Sequence, residues 1–306
     1  MIDRRRFLGW AAAGAGTLPL GGALAMKAGE PSRTARGAAL HRAAHQLLET
    51  PHVLDDPFAL PILGAQSARW LEANLDQYRG PGARGMRAFI VMRSRFAEDE
   101  LGRAVAAGVR QYVVLGAGLD TFGYRNPHAG LRVFEVDHPS TQAWKRARLA
   151  EQGIGVPQSL TFAPIDFETQ TLAGGLEAAG FRADRPAFFS WLGVVVYLSE
   201  SAVKGTLQYI AARPAGSQVV FDFAPPSEMI TEAEKTSRAT RSERVARAGE
   251  PWISYFDPMA LAAQMKGGGY ASAAVLGAGE LNERYFGGRS DGFRLRGSGR
   301  MMSARV

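Results

Sequence analysis

The stretch that most restricts how this chain can fold runs from Gln111 to Asp137, QYVVLGAGLDTFGYRNPHAGLRVFEVD. It predicts a buried strand over 112–115, a turn at Gly116-Ala117-Gly118, a connecting segment, and a second strand over 131–136 that ends on Asp137. A short apolar run closed by glycine is the pattern of a strand buried on both faces of a parallel sheet. Gly116 and Gly118 let the backbone turn sharply and pass close to a ligand. Asp137 follows Gly118 by 19 positions, about the interval at which nucleotide-binding folds place an acid to accept hydrogen bonds from ribose hydroxyls. The third glycine of the dinucleotide fingerprint is missing, because Thr121 stands in its place. A nucleoside ligand without phosphates fits this turn better than a pyrophosphate resting on a helix end, and that points to S-adenosylmethionine. Gly-x-Gly after an apolar run is common by itself; the acid closing the next strand makes it a nucleotide signal.

The chain is long enough, at 306 residues, to bury one large core without a second domain. Its apolar share of 46% and charged share of 21% are those of a soluble globule. The absence of cysteine excludes disulfides, thiolate zinc sites and a cysteine nucleophile. His41 and His45 are spaced i, i+4 but lack the Glu and the third ligand of a zinc motif, so they read as surface or helix-packing residues and no metal site is expected. The net charge of +7 is modest. Arg238, Arg241, Arg244 and Arg247 have Glu234 and Glu243 among them, and the run reads as a solvated helix face, not a nucleic-acid footprint.

Residues 1–31 read as an export segment outside the fold. Arg4-Arg5-Arg6-Phe7-Leu8 has the twin-arginine pattern, the stretch from Gly9 to Met26 is uncharged, and Ala23-Leu24-Ala25 suits a signal peptidase. The destination is periplasmic or membrane-associated, with a cytoplasmic location as the alternative; contact with a membrane is expected only through this segment. S-adenosylmethionine is made in the cytoplasm, so an exported enzyme needs a supply outside.

Residues 32–306 are expected to form one domain. A helix is predicted over 32–46, capped by Ser32 or Thr34, and another beginning at Pro57 after Asp55-Asp56. Gly80-Pro81-Gly82 reads as a break before a long helix over 85–107, in which Phe89, Ile90, Phe96, Leu101 and Val105 recur at helical spacing. Beyond Asp137, helices are predicted over 140–151, 172–180 and 200–212, strands over 160–165 and 218–223, and the fourth strand with its exit over 187–196. This alternation gives a parallel sheet with helices on both faces. An insertion at about 224–257, with a helix over 227–248, would overlie the carboxyl ends of the strands and act as a lid. Asp257-Pro258 caps a further helix, and strands over 271–276 and 301–306 close the sheet.

The chain from about Ser32 onward resembles the bacterial branch of the leucine carboxyl methyltransferase family, class I S-adenosylmethionine-dependent methyltransferases. The matching pieces include Asp56-Pro57-Phe58-Ala59, Met92-Arg93-Ser94-Arg95-Phe96, Leu115-Gly116-Ala117-Gly118-Leu119-Asp120-Thr121, Phe134-Glu135-Val136-Asp137-His138-Pro139, Ile165-Asp166-Phe167 and Val196-Tyr197-Leu198. Each is weak singly, and in this order the set is specific. The resemblance implies an α/β Rossmann-like fold with a mostly parallel seven-stranded sheet and an N-terminal helical extension. It also implies that Arg93 pairs with the carboxylate of the cofactor's methionine portion, a two-pronged contact suited to a guanidinium. Gly116 and Gly118 would pass under the amino-acid portion, Asp137 would hold the ribose, and Asp166 with the backbone of Phe167 would hold the adenine. Asp120 is expected to order the glycine turn. One departure stands out: better-known members have an acid near the end of the fourth strand, where this chain has Leu192.

The expected activity is O-methylation of a carboxylate or hydroxyl on a small molecule. A carboxylate needs no base, whereas a hydroxyl does, and His138 and Tyr197 are the positional candidates for one. A cofactor-binding protein that has lost catalysis is the alternative raised by Leu192. A nicotinamide-dependent reductase is disfavoured by Thr121 and by the lack of a Tyr-x-x-x-Lys pair. The sequence does not specify oligomeric state.

Overall fold

A computed structural model describes residues 32–306 apart from Glu168 and Ala248; the export segment lies outside the described residues. Helices α1 (Arg33–Leu48), α2 (Gly64–Ala73) and α3 (Pro81–Ala106) precede the sheet. Next come β1 (Gln111–Leu115), α4 (Phe122–Arg125), β2 (Arg132–Asp137), α5 (Pro139–Glu151), β3 (Leu160–Pro164), α6 (Leu172–Ala178), β4 (Phe188–Trp191) and α7 (Glu200–Ala211). The chain finishes with β5 (Gln218–Phe223), α8 (Glu232–Arg247), α9 (Pro258–Gly267), β6 (Ser272–Leu276), α10 (Ala278–Phe286) and β7 (Arg300–Arg305). The seven strands form one sheet in the order β3-β2-β1-β4-β5-β7-β6, in which only β7 runs antiparallel to its neighbours. The order reverses between β1 and β4, and that switch point opens a crevice at the carboxyl ends of the strands.

Alternation along the central strands divides the core. Tyr112, Val114, Val133 and Phe188 pack with α1, α3 and α10, while Val113, Leu115, Phe134 and Phe189 pack with α6, α7 and α9. Truncating Phe134 or Phe189, each wholly buried, to Ala is expected to cost about 3–5 kcal/mol.

The helix starts follow their capping chemistry. Ser32 accepts from the Ala35 N–H at 3.0 Å, His138 caps α5, and Asp257 accepts from Met259 and Ala260 at the start of α9. Two expectations are corrected. Pro57 does not open a helix: residues 57–60 form turns, a short 3-10 segment Pro61–Leu63 follows, and α2 begins at Gly64, because the Asp56 carboxylate is drawn inward to Arg42. Gly80-Pro81-Gly82 is no break but the start of α3, with Gly80 as cap and Pro81 at the first position. Within 187–196 the strand itself ends at Trp191, and Gly193 turns its exit at φ +72°. Helix α10 was not foreseen.

His45 is a packing residue: wholly buried, it bonds Glu49 through Nδ1 at 3.0 Å and accepts the Val53 N–H on Nε2.

Candidate functional site

The glycine turn leaves β1 at the switch point with Gly116 at φ +63° and Gly118 at φ +49°. These are left-handed conformations that cost side-chain-bearing residues about 1–2 kcal/mol. At Gly116 space is also short, since an added Cβ would lie 2.5 Å from Val194. Two hydrogen bonds hold the turn to β2. Ala117 N–H donates to Val136 O at 3.0 Å, and Gly118 N–H donates to Asp137 Oδ2 at 2.5 Å. Asp137 Oδ1 accepts from His138 N–H at 2.7 Å, so each carboxylate oxygen is fixed by the backbone while the group still faces the crevice. Burial pushes the Asp137 carboxyl up from its ordinary range, against the pull of those two N–H groups. Asp120 orders the turn as expected: its N–H donates to Ala117 O and its carboxylate accepts from Phe122 N–H at 2.7 Å.

Thr121, in place of the third glycine, is wholly buried and donates to Asp56 Oδ2 at 2.7 Å. Asp56 also binds Arg42 Nε at 2.7 Å, and Arg42 donates onward to Leu119 O. The N-terminal helix thus reaches the glycine turn through an ion pair that the sequence reading did not find. Apart from the Asp56-Pro57 turn, no local signal marks it, because its members are 14 and 65 positions apart.

A cavity of about 1550 Å³ opens from this turn. Gly116, Gly118, Asp137, Asp166, Phe167 and Arg93 all line it. In the same crevice the Arg93 guanidinium donates to Asp222 Oδ2 at 3.2 Å, and Asp222 Oδ1 accepts the Gly193 N–H at 2.5 Å. A Cβ on Gly193 would lie 2.6 Å from Arg93 Nη2, so the glycine makes room for the guanidinium. Asp222 interrupts the apolar run of β5 at its carboxyl end; that was the available signal for it. Leu192 lines the same wall, and Asp222 brings a carboxylate to this end of the sheet from the neighbouring strand.

His138 and Tyr197 line the cavity too, but neither is arranged as a base. His138 Nδ1 accepts from Ser140 N–H at 3.2 Å as the cap of α5, and burial pushes the Tyr197 hydroxyl up.

The insertion roofs the cavity. Phe256 N–H bonds Ala224 O, Ile253 N–H bonds Val196 O, and the Glu250 carboxylate accepts from Arg33 N–H, Thr34 N–H and the Thr34 hydroxyl. The expectation that the arginines of α8 form a solvated face is corrected. Arg238 is 6% exposed and donates to Pro225 O at 2.7 Å and Ser298 Oγ at 2.8 Å, and Arg241 lines the cavity with it. Arg247, farther along, is exposed. The helix faces the open cavity instead of packing on the core, so its inner face carries arginines and no apolar stripe.

The family model for leucine carboxyl methyltransferase matches residues 35–211, more than half of the chain and the whole span from α1 through α7. The chain belongs to the leucine carboxyl methyltransferase family. Among its relatives is YktD of Bacillus subtilis, named as a candidate S-adenosyl-L-methionine-dependent methyltransferase. It is 28% identical over 291 residues, covering 87% of this chain and 95% of that protein. A Mycolicibacterium paratuberculosis protein with the same designation is 34% identical over 229 residues, covering 70% and 71%. A crystal structure of a candidate methyltransferase from Thermobifida fusca superposes with a TM-score of 0.52 over 90% of this chain and 95% of its own, at 16% identity, and shares the fold. This member of the family is therefore an S-adenosylmethionine-dependent methyltransferase. Its crevice fits that cofactor: the turn has no Cβ to obstruct a close ligand, Asp137 keeps free lone pairs, and Arg93 offers a cation.

Proposed function

We propose that the enzyme methylates an oxygen of a small molecule, with a carboxylate the best-fitting acceptor and a hydroxyl the second. In this reading Asp137 holds the ribose hydroxyls, Asp166 and the Phe167 backbone hold the adenine, and Arg93, steadied by Asp222, holds the carboxylate of the methionine portion. The bound cofactor supplies an electrophilic methyl group on a sulfonium, whose thioether leaves without a proton. The protein's share is alignment and exclusion of water. The observation that carries the choice of acceptor is that neither positional candidate is poised as a base: His138 Nδ1 is committed to a helix cap, and burial keeps the Tyr197 hydroxyl protonated. An acceptor that is already ionised at neutral pH needs none.

Asp222 supports catalysis despite Leu192, since a carboxylate still stands beside Arg93. The test is to incubate the full chain with methyl-labelled S-adenosylmethionine and a panel of carboxylic acids, phenols and amines, then treat the products with base. Label released as methanol from carboxylic acids is the expected result. Base-stable label on nitrogen, or no turnover with any oxygen acceptor, would refute the reading. Export by the twin-arginine route is a further proposal, resting on Arg4 to Leu8.

A further inference from the structure

Resting on the methyltransferase reading, we propose that the acceptor carries an anionic group separate from the oxygen that takes the methyl, and that Arg238 and Arg241 of α8 bind it. The two arginines are three positions apart, so they share one face of the helix, and both line the cavity. They differ from four other arginines largely withdrawn from solvent. Arg42 is paired with Asp56, Arg87 with Glu49, Arg93 with Asp222 and Arg125 with Glu98. Among the described residues, neither Arg238 nor Arg241 has a carboxylate within ion-pairing distance.

Their partners are neutral. Arg238 donates to Pro225 O and Ser298 Oγ and lies over the Tyr255 ring at 5.4 Å. Arg241 donates only to Ser237 O of its own helix, at 3.3 Å, with its Nη2 beside Gly297. The nearby acid, Glu234, is occupied at the start of α8, where it accepts from Thr231 N–H at 2.9 Å and from the Thr231 hydroxyl at 3.0 Å. Burial disfavours the charge on both guanidinium groups, and Arg238 adds its repulsion at Arg241. Unpaired charge withdrawn from water is costly, and an anionic ligand relieves it. A carboxylate or phosphate matches two adjacent guanidinium forks.

The reacting oxygen is a different one. An oxyanion held in several charge-assisted hydrogen bonds is a weakened nucleophile. Phe89 lies against Arg93 at 5.9 Å and against Gly299, the chain neighbour of the Ser298 that Arg238 binds.

The test titrates the full chain, saturated with S-adenosylhomocysteine, with octanoate, phenylacetate and octyl phosphate, and with octanamide and phenylacetamide as neutral matches. Wild type is expected to bind at least one anion about tenfold or more tighter than its neutral match. Arg241→Gln should erase that preference, and Arg241→Lys should recover part of it, with S-adenosylhomocysteine affinity unchanged in both. Arg238→Gln, followed with a melting curve because its guanidinium is buried, should act in the same direction. Anions and amides binding alike to wild type, or a preference that survives Arg241→Gln, would overturn the assignment. Titration with S-adenosylhomocysteine alone separates the two readings. Failure there counts against the cofactor site, whereas normal binding without anion preference counts against the arginine pair.

Discussion

Replacing Asp137 with Asn is the sharpest perturbation of the cofactor site, because the structure predicts that it will behave like Ala and not like a mild isostere. Each Asp137 oxygen already accepts a backbone N–H, from Gly118 at 2.5 Å and from His138 at 2.7 Å. An amide offers one oxygen and one NH₂, so either orientation sets a donor against a donor. The Gly118 conflict would displace the glycine turn itself. Deleting the carboxylate removes two hydrogen bonds from ribose hydroxyls to an ion, worth about 1.5–3 kcal/mol each. The expected loss is therefore about 3–6 kcal/mol, or roughly 10²–10⁴-fold in the dissociation constant. Asn should fall within about threefold of Ala, since the oxygen it keeps is offset by the N–H it leaves facing NH₂. The assay is calorimetric titration of S-adenosylhomocysteine into wild type, Asp137→Asn and Asp137→Ala, with melting curves as a folding control. An Asn variant that binds within threefold of wild type would refute the reasoning, because the carboxylate would then not be a double backbone acceptor that also holds the ligand.

Three further outcomes are expected. Because burial raises the Asp137 carboxyl and the ribose contact needs an ionised acceptor, affinity for S-adenosylhomocysteine should fall as pH is lowered through that raised value; the Asp137→Ala profile should lack this component. Asp222→Asn should leave Arg93 facing an NH₂, and weaken S-adenosylhomocysteine by about tenfold. It should spare methylthioadenosine, which has no amino-acid portion; equal weakening of both would rule out orientation of Arg93 as its role. Glu135, wholly buried against Lys145 at 2.6 Å, is pushed up by burial to about 7 from an ordinary 4.5, with the lysine opposing. The folded chain then holds a proton that the unfolded chain releases between those values, so this group's contribution to stability is present at low pH and is lost as pH rises through that window. Denaturant titrations from pH 4.5 to 7 should show the slope in wild type and not in the Glu135→Gln/Lys145→Met double variant.

The central strands and the cofactor turn were legible because their signals are local. An apolar run, two glycines and an acid one strand later identify β1, β2 and Asp137 without reference to the rest of the chain, and the ends of β5 were read to the residue. What escaped the reading depends on contacts distant in sequence. Thr121 looks like a defect in a glycine motif until Asp56 and Arg42 are brought beneath it. Pro57 looks like a helix start until the preceding carboxylate turns inward. Asp222 and Arg93 are 129 positions apart, and only the crossing of α3 behind β4 and β5 makes them neighbours.

Helix α8 exposes a different limit. Hydrophobic periodicity reports which face of a helix meets an apolar core, and a helix that covers an open cavity has no such face to report. Its arginines therefore read as solvent-facing although one of them is almost wholly enclosed. The same residues lie beyond the match to the family model, which ends at residue 211. Everything assigned to the cofactor except Asp222 falls inside that match; the roof of the cavity, with α8, Glu250 and residues 295–299, falls outside it. The family model thus covers the cofactor side of the crevice, whereas in the proposed reading the acceptor is chosen by the part of the chain beyond it. Substitutions in α8 should accordingly alter acceptor preference at constant cofactor affinity, and substitutions at the glycine turn the reverse.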